Sequence, residues 1–209
     1  MISIMDALPF DGVLCDFDGV VHLWEPDGMI ALDNAWGLIE GTLAEAAFER
    51  ELLHAAVTGQ LSDEQWRRQV AEDLTPVCGS SERAHELVEA WSALTGRVDT
   101  EVVGLLGAVR RRVPVVLVSN ATTRLEAYLA AVGLTDTFDA VVNTARIGVA
   151  KPDPRVFAIA AERVGVDAQR CLFVDDSVGN VTAARAVGLT GLHYEHIGQM
   201  RDAVAPLLG

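Results

Sequence analysis

Short apolar runs alternate with helical patterns along most of this chain. Five runs are apolar at nearly every position, and we predict a β-strand at each: residues 13–15, 114–118, 138–142, 171–174 and 192–194. The segments between the later runs carry apolar residues at helical spacing and end at glycines or prolines. Continuously apolar strands separated by helices are typical of a parallel sheet covered on both faces. The pattern therefore predicts an α/β fold with a Rossmann-like parallel sheet and helices on both faces.

A long helical stretch interrupts this alternation between the first and second runs. Residues 29–94 carry patterns for four helices and no strand-like run. Ser62 and Gln65 form a capping-box pattern at the start of one helix, and Pro76 is predicted to end it. We therefore expect an inserted helical cap at 21–96 and an α/β core formed by two segments, 1–20 and 97–209.

Two carboxylates directly follow the first predicted strand. Asp16 and Asp18 stand two positions apart, so on an extended chain their side chains point to the same side. Like charges this close repel each other, and Mg²⁺ bound by oxygen ligands would relieve the repulsion. Gly19 lets the chain turn away without placing a side chain in the site. The same residues are also compatible with ordinary turn chemistry.

Polar residues follow two other predicted strands as well. The second strand ends in Ser119 and Asn120, the fourth ends in Asp175 and Asp176, and Lys151 precedes a predicted helix between them. Ligand sites of parallel sheets lie beyond the carboxyl ends of the strands, where these side chains would meet the first two carboxylates. Taken singly, Ser119 and Asn120 could be turn residues and Lys151 a surface lysine. Two adjacent acids that close a buried strand are costly without a cation, so the combination favours a catalytic site.

Together, these residues are suited to phosphoryl transfer. Asp16 and one of Asp175 or Asp176 would hold Mg²⁺. Asp16 would attack phosphorus, and Asp18 would move protons as general acid and base. Donors to the phosphoryl oxygens would come from Ser119, Asn120 and Lys151. The substrate expected for such a site is a small phosphorylated metabolite.

Composition narrows the range of partners. The 209 residues include 16 Lys and Arg against 30 Asp and Glu, for a net charge of −14. This balance argues against nucleic acid and anionic membranes, because both require basic patches. No run approaches the ~20 apolar residues of a membrane span, and residues 1–6 have no secretion-signal pattern. Three cysteines, two of them in strand-like runs, indicate reduced thiols, so we expect a cytoplasmic protein.

Four segments resemble the motifs of the haloacid dehalogenase (HAD) superfamily. They read DFDGVV at 16–21, SN at 119–120, KPDP at 151–154 and FVDDS at 173–177, and the resemblance spans essentially the whole chain. The helical insertion after the first motif resembles the cap of subfamily I (C1). Residues 58–66, TGQLSDEQW, are similar to cap segments of HAD phosphatases related to the N-terminal domain of soluble epoxide hydrolase.

The resemblance implies a role for each motif residue. Asp16 would be the nucleophile, and Asp18 would be the general acid and base. Ser119 and Asn120 would bind the phosphate. Lys151 would steady both the nucleophile and the phosphate.

The resemblance also implies a ligand set for Mg²⁺. Asp16 and Asp176 would be direct ligands, and Asp18 would contribute its backbone carbonyl. Asp175 would act mainly through water or by supporting the other ligands. Asp153 is interpreted as a helix cap rather than as a catalytic residue.

The sequence therefore predicts a Mg²⁺-dependent phosphatase that acts on a small phosphomonoester through an aspartyl-phosphate. Dehalogenases of the superfamily lack an acid at the position of Asp18, so its presence favours phosphoryl chemistry. Residues 19–28 are expected to act as a hinge and flap. Within them, His22, Trp24 and Glu25 either reach the substrate, pack in the loop or are exposed to solvent.

Two alternatives remain open at this stage. A phosphomutase similar to β-phosphoglucomutase would use the same core, but its cap must bind a second phosphate. The predicted cap is acidic, and its few cations are Arg50, Arg67, Arg68 and Arg83. A non-catalytic interaction protein could also keep this fold, although the chain retains every motif residue.

Overall fold

A five-stranded parallel sheet forms the centre of the protein. The structure is a computed structural model that describes residues 8–209. Its strands, in chain order, are β1 (Gly12–Cys15), β2 (His22–Leu23), β3 (Arg97–Val98), β4 (Val115–Ser119), β5 (Ala140–Asn143), β6 (Cys171–Asp175) and β7 (Thr190–His193). The longer strands pair in the order β5-β4-β1-β6-β7, all in parallel. This confirms the predicted sheet, although β5 begins two residues later and β7 two residues earlier than the predicted runs.

The helices flank this sheet or lie between β2 and β3. The described part of the chain contains α1 (Gly28–Trp36), α2 (Thr42–Ala47), α3 (Arg50–Val57), α4 (Asp63–Cys78), α5 (Ser81–Ser92), α6 (Thr100–Arg110), α7 (Leu125–Ala131), α8 (Thr144–Ile147), α9 (Pro154–Arg163), α10 (Val178–Ala186) and α11 (Ile197–Leu208). A 3₁₀ turn, Ala168–Arg170, precedes β6. Asp153 accepts a hydrogen bond at the start of α9, as the helix-cap prediction required, and Asp99 caps the start of α6 in the same way.

Alternate residues of each central strand pack against opposite faces of the sheet. In β1, Val13 and Cys15 belong to one hydrophobic cluster, whereas Leu14 belongs to the other. Residues from α6, α7 and α11 complete the first cluster, and residues from α9 and α10 complete the second. Both faces are therefore covered, as the continuously apolar strands required.

Helices α1–α5 form a helical block with its own hydrophobic core. Leu43, Trp66 and Leu87 lie in this core, which is separate from the two clusters on the sheet. Helix α4 begins with the predicted capping box. The prediction that Pro76 ends this helix is wrong, because α4 continues to Cys78, whose side chain packs in the same core. The block also has five helices rather than the predicted four.

A short antiparallel ribbon joins the helical block to the sheet. The ribbon pairs β2 with β3, with His22 opposite Val98 and Leu23 opposite Arg97. The chain thus leaves the sheet layer and returns to it at adjacent positions. The domain limits at 20/21 and 96/97 stay a prediction, and residues 1–7 of the first core segment lie outside the described residues. The prediction that residues 1–6 have no secretion-signal pattern also concerns residues outside the described range.

Polar contacts tie the helical block to the loop that follows β4. The Asp63 backbone N–H donates to Thr123 Oγ1 over 2.9 Å, and Thr122 Oγ1 donates to Asp63 Oδ1 over 2.7 Å. The Asp63 carboxylate also pairs with Arg67 at 2.7 Å. These contacts hold the start of α4 beside the carboxyl end of β4.

The cysteines agree with the expectation of reduced thiols. Cys15, Cys78 and Cys171 are free and buried. Among residues 8–209, no helix combines the length and the apolar character needed to cross a membrane.

Candidate active site

The polar ends of three neighbouring strands meet at one cleft. Asp16 follows β1, Ser119 ends β4 and Asp175 ends β6, and these strands are adjacent in the sheet. The cleft has a volume of about 410 Å³ and is lined by Asp16, Asp18, Gly19, Leu23, Trp24, Ser119, Asn120, Lys151, Asp176 and Asn180. Every predicted site residue except Asp175 therefore lines the cleft, and Asp175 lies fully buried directly beneath it.

Lys151 lies at the base of the cleft and contacts two acids. Its Nζ is 2.8 Å from Asp16 Oδ1 and 2.7 Å from Asp175 Oδ2, and it donates to the Val118 carbonyl over 2.9 Å. Burial opposes the charged form, but the two carboxylates outweigh it and raise the pKa of Lys151 above its ordinary value. The surface-lysine alternative is thus wrong. Lys151 is also the one lysine of the chain, since the other 15 basic side chains are arginines.

Asn120 fixes the backbone of Lys151. The Asn120 Nδ2 donates to the Lys151 carbonyl over 2.9 Å, and the Lys151 backbone N–H donates to Asn120 Oδ1 over 2.8 Å. Both ends of the Asn120 amide are therefore used in positioning the lysine. The Asn120 side chain is thus already engaged within the protein.

Three carboxylates crowd the floor of the cleft. One oxygen from each of Asp16, Asp175 and Asp176 lies within 4.8 Å of the other two. Burial raises the pKa of Asp16, and the charge of Asp175 adds to this effect while Lys151 opposes it. Burial and Asp175 likewise raise the pKa of Asp176. Such crowding is relieved by a cation, and oxygen donors suit Mg²⁺, so this donor set fits the predicted metal.

Asp175 differs from the other two acids because protein donors already saturate it. Besides Lys151, the Ser177 backbone N–H donates to Asp175 Oδ1 over 2.8 Å. Asn180 Nδ2 lies 3.1 Å from Oδ1 and 3.2 Å from Oδ2. Asp16 and Asp176 instead line the cleft. This difference supports the prediction that Asp176 meets the metal directly, and the individual roles stay predictions.

Gly19 allows Asp176 to approach the loop after β1. Its φ is +79°, and a Cβ at this position would lie 2.0 Å from Asp176 Oδ2. Gly133 has a similar φ of +75°, but a Cβ there would meet nothing within 4 Å. The two glycines therefore share a backbone conformation that disfavours side chains, and they differ in contact with the acid.

We expect Gly19→Ala to destabilise the fold more than Gly133→Ala does. The left-handed backbone alone should cost each variant about 1–2 kcal/mol of unfolding free energy, and Gly19→Ala should lose more because its Cβ overlaps Asp176. Urea unfolding of both variants measures the difference. Equal losses would mean that the close approach to Asp176 contributes nothing.

Residues 10–188 match the haloacid dehalogenase-like hydrolase family. The chain belongs to this family. The predicted superfamily is thereby confirmed, and the helical block is consistent with the C1-capped subfamily.

Named relatives of this HAD-like hydrolase include a phosphatase of Mycobacterium tuberculosis, 37% identical over 99 residues that make up 46% of each chain. A mouse haloacid dehalogenase-like hydrolase domain-containing protein is 29% identical over 155 residues, which cover 74% of this chain and 57% of the mouse protein. The chain thus spans about half the length of these relatives. A HAD-family enzyme of Bacteroides thetaiotaomicron, solved with magnesium and inorganic phosphate, has a TM-score of 0.73 at 20% identity, covering 89% of this chain and 94% of that one. At 20% identity, this similarity shows a shared fold and nothing further.

Asp18 of the hydrolase stands apart from the three crowded acids. Its side chain is 46% exposed, and its Oδ1 accepts a hydrogen bond from Trp24 Nε1 at 2.8 Å and lies 3.0 Å from His22 Nδ1. Of the flap residues, Trp24 lines the cleft, His22 is fully buried and Glu25 is exposed outside the cleft lining. His22 therefore packs within the loop, whereas the Trp24 side chain has access to the cleft.

Two residues of the site were missed from the sequence. Asn180 follows Asp175 by five positions, so the first turn of α10 carries its amide back to that carboxylate. An asparagine five positions after an acid that ends a strand is the sequence signal that could have identified Asn180. The Tyr128 hydroxyl lies 2.6 Å from His22 Nε2, although the two residues are 106 positions apart in the sequence. No local sequence pattern indicates this contact.

A second opening lies between the helical block and the core of the hydrolase. It measures about 690 Å³ and shares Asn120 and Lys151 with the first cleft. From the helical block it is lined by Phe48, Arg50, Glu51, Leu53, His54, Ala55, Val57 and Gln60. A substrate bound over Lys151 would therefore face side chains of α3.

Proposed function

We propose that this hydrolase is a Mg²⁺-dependent phosphatase that cleaves a small phosphomonoester through a phosphorylated Asp16. The observation that carries the proposal is the convergence of the motif residues on one cleft: Asp16, Asp18, Ser119, Asn120, Lys151 and Asp176. The similarity to a mycobacterial phosphatase supports the reaction class. The magnesium and phosphate bound by a structural neighbour support the cofactor and the ligand.

The acids of the cleft would hold the metal. Asp16, Asp176 and the backbone carbonyl of Asp18 are the proposed ligands, and Asp175 would support them from behind. When bound, Mg²⁺ supplies positive charge that offsets the charge of the phosphoryl oxygens. Burial and the neighbouring charge of Asp175 raise the pKa values of Asp16 and Asp176, and a bound cation would offset both effects.

The first half-reaction would transfer the phosphoryl group to Asp16. A carboxylate oxygen of Asp16 attacks phosphorus, and the bond from phosphorus to the ester oxygen breaks. Asp18 gives its proton to that departing oxygen, so the product leaves as an alcohol. Lys151 fixes the attacking carboxylate through its 2.8 Å contact. The Ser119 hydroxyl and the Asn120 backbone N–H would donate to the phosphoryl oxygens.

The second half-reaction would return the enzyme to its starting state. Asp18, now ionised, removes a proton from a water molecule that attacks phosphorus. The bond between phosphorus and Asp16 breaks, inorganic phosphate leaves and both carboxyl groups are restored. The cycle therefore needs one acid that alternates between two protonation states beside the nucleophile.

We expect metal removal to stop turnover. Phosphate release from p-nitrophenyl phosphate should disappear after treatment with EDTA and return when Mg²⁺ is added in excess, because uncompensated carboxylates repel the phosphoryl group. A colorimetric phosphate assay measures this directly. Full activity after exhaustive chelation would contradict the proposed metal dependence.

A phosphomutase is the second candidate, and one observation favours it. Arg50 of the helical block lines the opening that includes Lys151, so a cation is available for a second phosphate. Glu51 lines the same opening and works against an additional anion. Isomerised sugar phosphate in place of free phosphate, measured by phosphorus NMR, would identify the mutase.

A further inference from the structure

We propose that His22 and Tyr128 are positioning residues that hold the Asp18 carboxyl so that its Oδ2 carries the transferable proton. This inference rests on the proposed function, in which Asp18 is the general acid and base. It concerns a contact chain that runs from Tyr128 Oη to His22 Nε2 over 2.6 Å and from His22 Nδ1 to Asp18 Oδ1 over 3.0 Å. These contacts link α7 of the core to the Asp18 carboxyl through His22 of the ribbon strand β2.

With Asp18 ionised and the His22 ring neutral, the direction of each hydrogen bond follows from the chemistry of the three groups. An ionised carboxylate can only accept, so His22 must donate from Nδ1. In the neutral ring, Nε2 is then an acceptor, and the Tyr128 hydroxyl must donate to it. Tyr128 thus supports the ring tautomer that presents a proton to Asp18.

The two donors on Asp18 meet at a single oxygen. Trp24 Nε1 donates to Oδ1 over 2.8 Å, in addition to His22. A proton on Oδ1 would compete with these donors, so the acid form places its proton on Oδ2. Oδ1 can accept from both donors whether or not Oδ2 is protonated. The carboxyl group therefore keeps one orientation through both halves of the reaction.

The imidazole ring of His22 is closely confined, which makes this geometry rigid. His22 is fully buried and stacks on Phe17, with ring centres 5.1 Å apart and an interplanar angle of 5°. Trp24 and Tyr128 contact it edge-on at 4.6 and 5.1 Å. A Cβ on Gly96 would come within 2.5 Å of the ring, so only glycine leaves room there. Such confinement reduces the rotational freedom that would otherwise misalign an acid.

The proposal predicts a dependence on the leaving group. Phenyl phosphate and p-nitrophenyl phosphate differ little in shape, but nitrophenol is the more acidic alcohol and needs less help from a proton donor. The ratio kcat/KM covers the steps up to the first irreversible one, here the departure of the alcohol. A misplaced acid should therefore lower kcat/KM for phenyl phosphate and affect p-nitrophenyl phosphate much less.

The experiment compares four variants on both esters. We expect His22→Leu and Tyr128→Phe to lower kcat/KM for phenyl phosphate by about tenfold, part of the range that acid–base catalysis supplies, with a change of about twofold or less for the nitrophenyl ester. His22→Asn should recover part of the loss, because its Nδ2 can stand where Nδ1 donates. Tyr194→Phe, the matched control at the other tyrosine, should leave the ratio of the two esters unchanged.

Equal losses on both esters would overturn the positioning role, since a general structural defect does not depend on the leaving group. A wild-type protein that releases phosphate from neither ester would instead refute the proposed function. A measurement without turnover separates the two cases. Nitrogen-15 NMR of the wild-type imidazoles should show His22, assigned by its loss in His22→Asn, with the proton on Nδ1. A proton on Nε2 in the wild type would contradict the proposal.

Discussion

Replacing Asp16 with asparagine is expected to abolish phosphate release from p-nitrophenyl phosphate. An amide cannot form the phosphorylated intermediate, and loss of a nucleophile lowers kcat by about 10⁴-fold or more. The fold should persist, because Lys151 keeps Asp175 as an ionic partner at 2.7 Å. Steady-state kinetics together with thermal unfolding distinguishes a lost nucleophile from a lost fold.

Asp153 provides the matched control for this experiment. It is a nearby acid of the third motif, but it caps α9 and pairs with Arg155 at 2.7 Å outside the cleft. Asp153→Asn should retain the wild-type rate. Wild-type turnover in Asp16→Asn would refute the nucleophile assignment. Equal losses of activity in both variants would refute the distinction between an acid in the cleft and an acid that only caps a helix.

Replacing Lys151 with methionine is expected to affect both stability and activity. The substitution keeps the apolar stem but leaves Asp16 and Asp175 buried without their shared cation. Removing one partner of a buried ion pair costs about 3–5 kcal/mol. Urea unfolding measures this loss, and the phosphate assay should show no turnover, since the attacking carboxylate is no longer held.

The stability loss in Lys151→Met should grow as pH rises. Burial raises the pKa of Asp16, and Lys151 opposes this effect, so removing the lysine raises the folded-state pKa further. An unfolded aspartate loses its proton near pH 4, while the folded one keeps it to higher pH. A folded pKa above the unfolded value gives stability that is present at low pH and lost as pH rises.

A second substitution tests the cause of that loss. Lys151→Met combined with Asp16→Asn removes one of the two uncompensated charges, so the double variant should recover part of the stability and lose part of the pH dependence. A single variant as stable as the wild type at pH 5 and at pH 8 would contradict this account.

The sheet and the cleft could be predicted because their signals are local. Each central strand is a short apolar run, and parallel topology brings all carboxyl ends to one edge. Asp16, Ser119 and Asp175 could therefore be assigned to one site before their distances were known. The capping box at Ser62 and the helix cap at Asp153 likewise depend on residues no more than four positions apart.

Other features depend on contacts that no local pattern records. The pairing of Tyr128 with His22 spans 106 residues. Strands β2 and β3 have two residues each, too few for a periodicity to appear. Helix α4 passes through Pro76 because packing of the helical block outweighs the missing backbone donor. Residue types alone left Asp175 and Asp176 interchangeable as metal ligands, and it is the hydrogen-bond donors around Asp175 that distinguish them.

The single lysine of the chain makes the candidate active site a target for a selective chemical probe. Lys151 is 5% exposed, and its protonated amine is held by two carboxylates, so acylating reagents cannot modify it in the closed cluster. Because no other lysine side chain competes, mass-spectrometric acylation rates at this position would report the local opening of the ion cluster. Ligands that tighten the cleft would slow that modification, which provides a binding assay that requires neither turnover nor a known substrate.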